Sequence, residues 1–269
     1  MVEARADLVT GDNLGVIPPA VMAGLGEPLD LGRPFLASTL KLDAPLAGVG
    51  LTLPLVVVRP TAGEQVGEKD LLTHTATDIR PVTFDPTTVG GYGDASLQLL
   101  IRSDPSYYEL YLGLLAEAYG ESADVEAVNA LLGAGVNDGG TFDPADFEVG
   151  AAVIDSQAAA RRLPDTLWFS SAAAEAIINA KAPGSNVPIF PEFPGGLVSG
   201  LRPVHTPALD DTEADIIVGP SSGFRWAEDG AYRLTAVRPA QAGQDIGLAG
   251  MVWLAPIAGG AFTKYDLES

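Results

Sequence analysis

The chain contains no cysteine. Disulfides, thiolate metal sites and cysteine nucleophiles are therefore excluded, and the redox compartment leaves no trace in the sequence. Histidine is nearly as scarce: His74 and His205 are the only two, far apart and each in an expected strand. Neither HxxxH nor HxH spacing occurs, so a histidine metal centre would need carboxylates brought in from elsewhere. Positive charge is thin. Four lysines (Lys41, Lys69, Lys181, Lys264) and eleven arginines face 35 acidic residues, for a net charge of −20. Such a chain repels polyphosphate, which disfavours tight nucleic-acid binding, and the pair Arg161-Arg162 is too small a basic spot to reverse this. Long apolar runs are also missing. The longest, such as residues 51–58, have the length of a strand, far below the ~18 residues of a membrane span. The first residues lack the apolar core of a signal peptide. A soluble protein made in a cytoplasm, with no membrane partner, is the expectation.

What is present is enough for a substantial core. The 269 residues are 47% hydrophobic, which suits one large domain or two smaller ones. The 31 glycines and 21 prolines point to many turns and extended arms. Residues 1–32 read as such an arm: Gly11, Gly15, Pro18, Pro19, Gly24, Gly26 and Pro28 interrupt any helix, yet Leu14, Val16, Ile17, Val21 and Leu25 are apolar. An arm of this kind lies either on its own domain or on a neighbouring subunit. A strand is expected over 33–42. Residues 49–59 and 73–84, rich in β-branched residues, flank a polar stretch and form a long two-stranded excursion with little core of its own.

The clearest helix is expected from about 105 to 132. Asp104 is its cap and Pro105 its first residue, and Gly133 and Gly135 end it. Tyr107, Tyr111, Leu114, Ala118, Val125, Val128 and Leu132 suggest its apolar stripe. At 1.5 Å per residue it would span about 42 Å. A second helix is expected over 143–162, then a short strand at 166–169, then a third helix capped by Ser170 or Ser171 and reaching 180. From Gly196 onward the pattern is strand and turn. The fold class is α+β, with helices among mostly antiparallel strands.

Candidate chemistry does not accumulate. Gly219-Pro-Ser-Ser-Gly223 satisfies the G-x-S-x-G pattern of a nucleophile elbow, with Ser221 as nucleophile. The segment after it reads as turn and strand instead of helix, and no histidine follows Ser221. Asp210, Asp211, Glu213 and Asp215 form an acidic cluster without the register of a calcium loop. Gly90-Gly91-Tyr92-Gly93 lacks the Lys-Ser/Thr of a phosphate-binding loop. No catalytic, cofactor or metal residues are assigned, and an enzyme is not expected.

The segment TVGGYGDASLQLLIRSDPSYYELYLGLLAEAYGESADVEAV, residues 88–128, resembles the hairpin-to-spine-helix region of tailed-bacteriophage major capsid proteins, the Hong Kong phage-type shell fold. Gly90, Gly91, Tyr92, Ser96, Gln98, Leu99, Arg102, Ser103 and Pro105 carry the likeness. Leu167-Trp168-Phe169-Ser170-Ser171, the stretch from Gly195 to Val204, and Asp245-Ile246-Gly247-Leu248 resemble later elements of that family, in the same order. The resemblance implies an N-terminal arm (1–32), an extended loop (45–83), a peripheral domain (33–44, 84–135 and 224–257) and an axial domain (136–223 and 258–269). It also implies a virion protein that self-assembles into hexamers and pentamers of an icosahedral shell. Double-stranded DNA would be enclosed without sequence-specific binding, and scaffold, portal and decoration proteins are possible partners. An encapsulin-type bacterial nanocompartment shell protein is the alternative; its usual N-terminal helix is not supplied by the first 32 residues. The chain begins almost directly at the arm, consistent with a separate scaffold or a mature product.

Some members of that family join subunits through an isopeptide bond between a loop lysine and a peripheral-domain asparagine. Lys69 stands in the loop, but residues 240–269 contain no asparagine. Purified shells should therefore run as single chains on a denaturing gel; a ladder of covalent multimers would contradict this.

Overall fold

The computed structural model describes residues 32–43, 49–58, 60–64, 76–96, 98–99, 106–142, 163–181, 186–190, 193, 195–198, 200–238 and 242–267. The arm up to residue 31 and the helix expected over 143–162 lie outside them.

The first segment departs from expectation. Residues 33–42 are not one strand: Pro34–Ser38 forms a short helix, α1, and only Leu40–Lys41 is extended, as β1. Pro34 sits in the first turn, where its missing N–H costs nothing. The free N–H groups of Phe35 and Leu36 are taken up by a carboxylate from another element. A tertiary partner thus makes a helix where local propensity favours a strand.

Strands β2 (Leu51–Val58) and β3 (Asp78–Phe84) pair antiparallel as an isolated two-stranded sheet, the excursion expected from the sequence. After Asp85 the chain continues as β4 (Pro86–Ser96), so the returning leg of the hairpin runs directly into the body. The long helix α2 spans Ser106–Leu132. It ends as expected: the Gly133 N–H donates to the Asn129 carbonyl at 2.9 Å, and Gly135 takes φ +79°, which favours glycine. Strand β5 is Asn137–Phe142, β6 is Thr166–Phe169, and helix α3 is Ser171–Asn179. Ser170 caps α3, its hydroxyl accepting from the Ala173 N–H. The remaining strands are β7 (Arg202–His205), β8 (Ile216–Gly219), β9 (Phe224–Arg238), β10 (Gly243–Pro256) and β11 (Thr263–Leu267).

Two larger sheets result. One runs β1-β9-β10-β4 and the other β5-β11-β8-β6-β7. Most pairings are antiparallel; β1 with β9, β5 with β11 and β6 with β7 are parallel. Residues 224–230, which read as turn and strand, belong throughout to β9. Their turn-like composition marks an irregularity, because the register shifts between Gly250 and Val252 and leaves Asp229 and Gly230 without paired partners. Strands β6 and β8 are buried on both faces, which is why they read as short unbroken apolar runs. Leu167, Phe169, Ile216 and Val218 pack with Ile177 of α3 on one side. Trp168 and Ile217 enter the central cluster on the other. There Phe35, Trp168, Phe224 and Phe262 meet at ring separations of 5.2 to 5.9 Å and join the two sheets. Each buried phenylalanine contributes roughly 1.5–3 kcal/mol of apolar transfer.

Helix α2 lies across the β10–β4 face on a stripe that coincides with the expected one in part. Val128 is buried and Tyr111, Val125 and Leu132 are half-buried against the core clusters, but Leu114 and Ala118 are exposed, and Leu112, Ala116, Tyr119, Ala123, Asp124, Ala127 and Leu131 are also buried. Ala116, Ala123 and Ala127 of this stripe carry little apolar signal in sequence. Glycines on the sheet complete the fit. A Cβ at Gly93 would collide with the Tyr111 hydroxyl, and one at Gly250 would lie 2.5 Å from the Tyr119 hydroxyl and 2.6 Å from the Gly230 carbonyl. Gly250→Ala should therefore cost about 1–3 kcal/mol through overpacking, read as a lower urea midpoint with an unchanged slope.

Candidate functional site

Asp124 is the one charged residue on the buried stripe of α2, with 1% of its surface exposed. One carboxylate oxygen accepts the Leu36 N–H at 2.8 Å. The other accepts the Phe35 N–H at 3.1 Å and the Thr206 hydroxyl at 2.9 Å. It therefore caps α1 from a distance of 88 residues in sequence and holds the chain just after β7 at the same point. Burial pushes its pKa up to about 6; the bonds from Leu36, Phe35 and Thr206 and the nearby Arg33 charge oppose that rise.

Around this carboxylate the polar groups of α1 are bound in turn. The Trp226 indole N–H donates to the Leu36 carbonyl at 2.9 Å, and the Trp168 indole N–H donates to the Ser38 hydroxyl at 2.7 Å. Arg33 pairs with Glu228 at 2.9 Å, both side chains being nearly buried, and its guanidinium lies over the Trp226 ring. Glu228 also accepts from the Tyr119 hydroxyl at 3.0 Å. Burial, with the Glu228 carboxylate alongside, raises the Tyr119 phenol above its ordinary value. The whole arrangement binds residues 33–38 to α2, β9 and the second sheet. A solitary aspartate among apolar neighbours on a helix stripe is the signal that could have revealed it.

The residues considered for chemistry are used in holding the fold. The Ser221 hydroxyl donates to Asp165 at 2.7 Å and its N–H to the same carboxylate at 2.6 Å, within a short 3-10 turn that leads into a strand. His205 approaches the Ser171 hydroxyl at 3.1 Å, and Asp210 accepts from that hydroxyl at 2.7 Å and from the Ser171 N–H at 2.6 Å. This trio was not read from the sequence. It is not a nucleophile relay, because the carboxylate engages the serine rather than orienting the imidazole. The acidic cluster is divided. Asp210 caps α3, and Asp215 accepts from Ser170 and from the Leu267 N–H. Asp211 and Glu213 border a cleft of about 340 Å³ with Asn129, Leu132, Val136, Thr212 and Lys264. Among the described residues no three His, Asp or Glu side chains converge where a metal ion could sit. Gly90, Gly91, Tyr92 and Gly93 lie inside β4, where Gly90 and Gly93 permit close approach of β10 and α2. His74, Lys69, Arg161 and Arg162 lie outside the described residues. No helix among the described residues is long and apolar enough to cross a membrane.

Two sheets, one long helix across the first of them, and a separate two-stranded hairpin make up the described fold. Residues 80–263 match the family described as phage capsid protein, and the chain belongs to that family. No curated protein sequence matches it. Solved structures from Gordonia phage Cozz (12% identity, TM-score 0.70, 87% of this chain and 86% of that one) and Mycobacterium phage Bobi (14%, 0.69, 98% and 100%) share the fold. So does the capsid of a native GTA particle (14%, 0.69, 94% of each). The α+β capsid fold and the likeness to tailed-phage major capsid proteins read from the sequence are borne out, and the chain is a structural capsid subunit.

Asp124 should leave a signature in the pH dependence of stability. Its folded pKa is raised above the ordinary 3.8, so its contribution favours the fold below that value and fades as pH rises through about 6. The span corresponds to about 3 kcal/mol. Asp124→Asn should remove this component from the urea midpoint measured between pH 4 and 7. The variant should also lose about 1–3 kcal/mol at neutral pH, because its amide cannot accept all three donors.

Proposed function

We propose that the chain forms the hexamers and pentamers of a closed icosahedral virion shell that holds packaged double-stranded DNA, assembled in the cytoplasm of a bacterial host and without enzymatic activity. In this reading α2 and the β1-β9-β10-β4 sheet make up the peripheral domain. The β5-β11-β8-β6-β7 sheet with α3 forms the axial domain, β2–β3 is the extended loop, and residues 1–32 are the arm. Scaffold, portal and decoration proteins are the further partners.

The observation that carries the reading is the hairpin. Val56, Val58 and Ile79 are exposed, and among the described residues β2 and β3 pair only with each other. A two-stranded ribbon is marginal alone, so a neighbouring copy is the natural source of its missing burial. Many identical heterologous contacts of this kind close into a shell when the rotation permits. The net charge of −20 suits a wall that does not grip its DNA.

Negative-stain microscopy of the purified chain should reveal closed shells or rings of five and six. Leu53 and Val82 face each other across the hairpin, so an Asn-Gly turn can replace residues 54–81. That truncated chain should keep its circular dichroism and lose shell formation; shells that still close would remove the hairpin from the contact.

A further inference from the structure

Trp253 stands where both legs of the hairpin meet β10. Its ring is wholly buried in β10. Its backbone pairs with Pro86, the residue at which the returning leg enters β4. Its indole N–H reaches the outgoing leg, donating to the Val49 carbonyl at 2.9 Å just before β2 begins. Val49 is itself 55% exposed, so this bond does not fill a gap in the core; it fixes where a surface segment runs. Beside it the legs are pressed together, since a Cβ on Gly50 would collide with the Thr83 methyl group and lie 3.2 Å from an Asp85 carboxylate oxygen. Thr83 is held in turn by its hydroxyl contact with Thr52 at 2.9 Å.

We propose that Trp253 is the positioning residue of the hairpin: its buried indole binds the outgoing leg at Val49 and its backbone stands opposite the returning leg at Pro86, with Gly50 allowing the legs to close. The direction of the projecting ribbon is thereby set at its root. Leverage makes this matter. The eight residues of β2 extend roughly 26 Å, so a swing of ~10° at the root moves the far end by about 5 Å. A displacement of that size takes side chains out of contact range. The consequence for shell geometry rests on the hairpin reaching a neighbouring copy; the positioning itself does not.

The absence of cysteine makes the direct measurement simple. Spin labels on Val58→Cys in the hairpin and Glu121→Cys on α2, both exposed positions, report the angle as a distance distribution by pulsed electron resonance. Trp253→Phe keeps a large buried ring and deletes the donor. It should shift and broaden that distribution while the unfolding temperature falls by only a few degrees. An unchanged distribution overturns the proposal, whatever the unfolding temperature does. Should Trp253→Phe fail to fold, Gly50→Ala decides. It should displace the distribution, and Gly50→Ala with Thr83→Ser, which removes the obstructing methyl, should restore it. No displacement, or none reversed by the second change, overturns the proposal equally. If the distances respond but shells of Trp253→Phe keep the size and shape of the parent's, the pivot stands and the hairpin's role in assembly falls.

Discussion

The Asp124 carboxylate is the constraint on which the arrangement of this subunit turns. A buried ionised group is tolerated only when its lone pairs are satisfied, and here the donors come from three separate parts of the chain. Phe35 and Leu36 must sit at the start of a helix for their N–H groups to point at one carboxylate. Thr206 must follow β7 at the right height on the second sheet. Once those donors are committed, Leu36 and Ser38 present their oxygens to the two indoles that close the junction. Phe35 is then carried into the aromatic cluster between the sheets. Loss of the carboxylate would strand several buried donors at once, a larger penalty than one missing hydrogen bond.

Close approach is the second constraint, and it follows from small residues. Helix α2 sets Leu115, Tyr111 and Tyr119 against Gly91, Gly93 and Gly250 of the sheet. Apolar side chains remain outside, among them Tyr92, Tyr232 and Leu234 on the sheet and Val56, Val58 and Ile79 on the hairpin. Exposed apolar side chains of this kind make a surface suited to further contacts. The surplus of negative charge acts in the other direction, since copies repel one another until short-range contacts form.

The apparent chemistry dissolves for a related reason. Ser221, Ser171, Asp165, Asp210 and Asp215 are short polar side chains at turns and helix starts, where backbone N–H groups need acceptors. Their spacing can imitate a reactive site. Their hydrogen bonds run to the backbone and to each other, and they stop the chain where one element passes to the next.

Much of this protein was legible in its residues. The period of residues 106–132, closed by Gly133 and Gly135, gave the long helix. The β-branched runs at 49–59 and 73–84 gave the hairpin, and the short run at 166–169 gave β6. The ordered run of glycine, tyrosine and arginine signals around residue 90 gave the family. These are local properties, written in steric preference and in the alternation of polar with apolar groups. What the sequence alone could not decide was the full buried stripe of the helix, because Ala116, Ala123, Asp124 and Ala127 carry almost no hydrophobic signal. Nor could it decide that residues 34–38 are helical, because the acceptor for their N–H groups lies 88 positions away. His205, Ser171 and Asp210 meet only because β7, α3 and the turn after residue 206 are folded against one another. The elements follow from short-range chemistry; their faces and junctions come from donors and acceptors that only the tertiary fold brings within three ångströms.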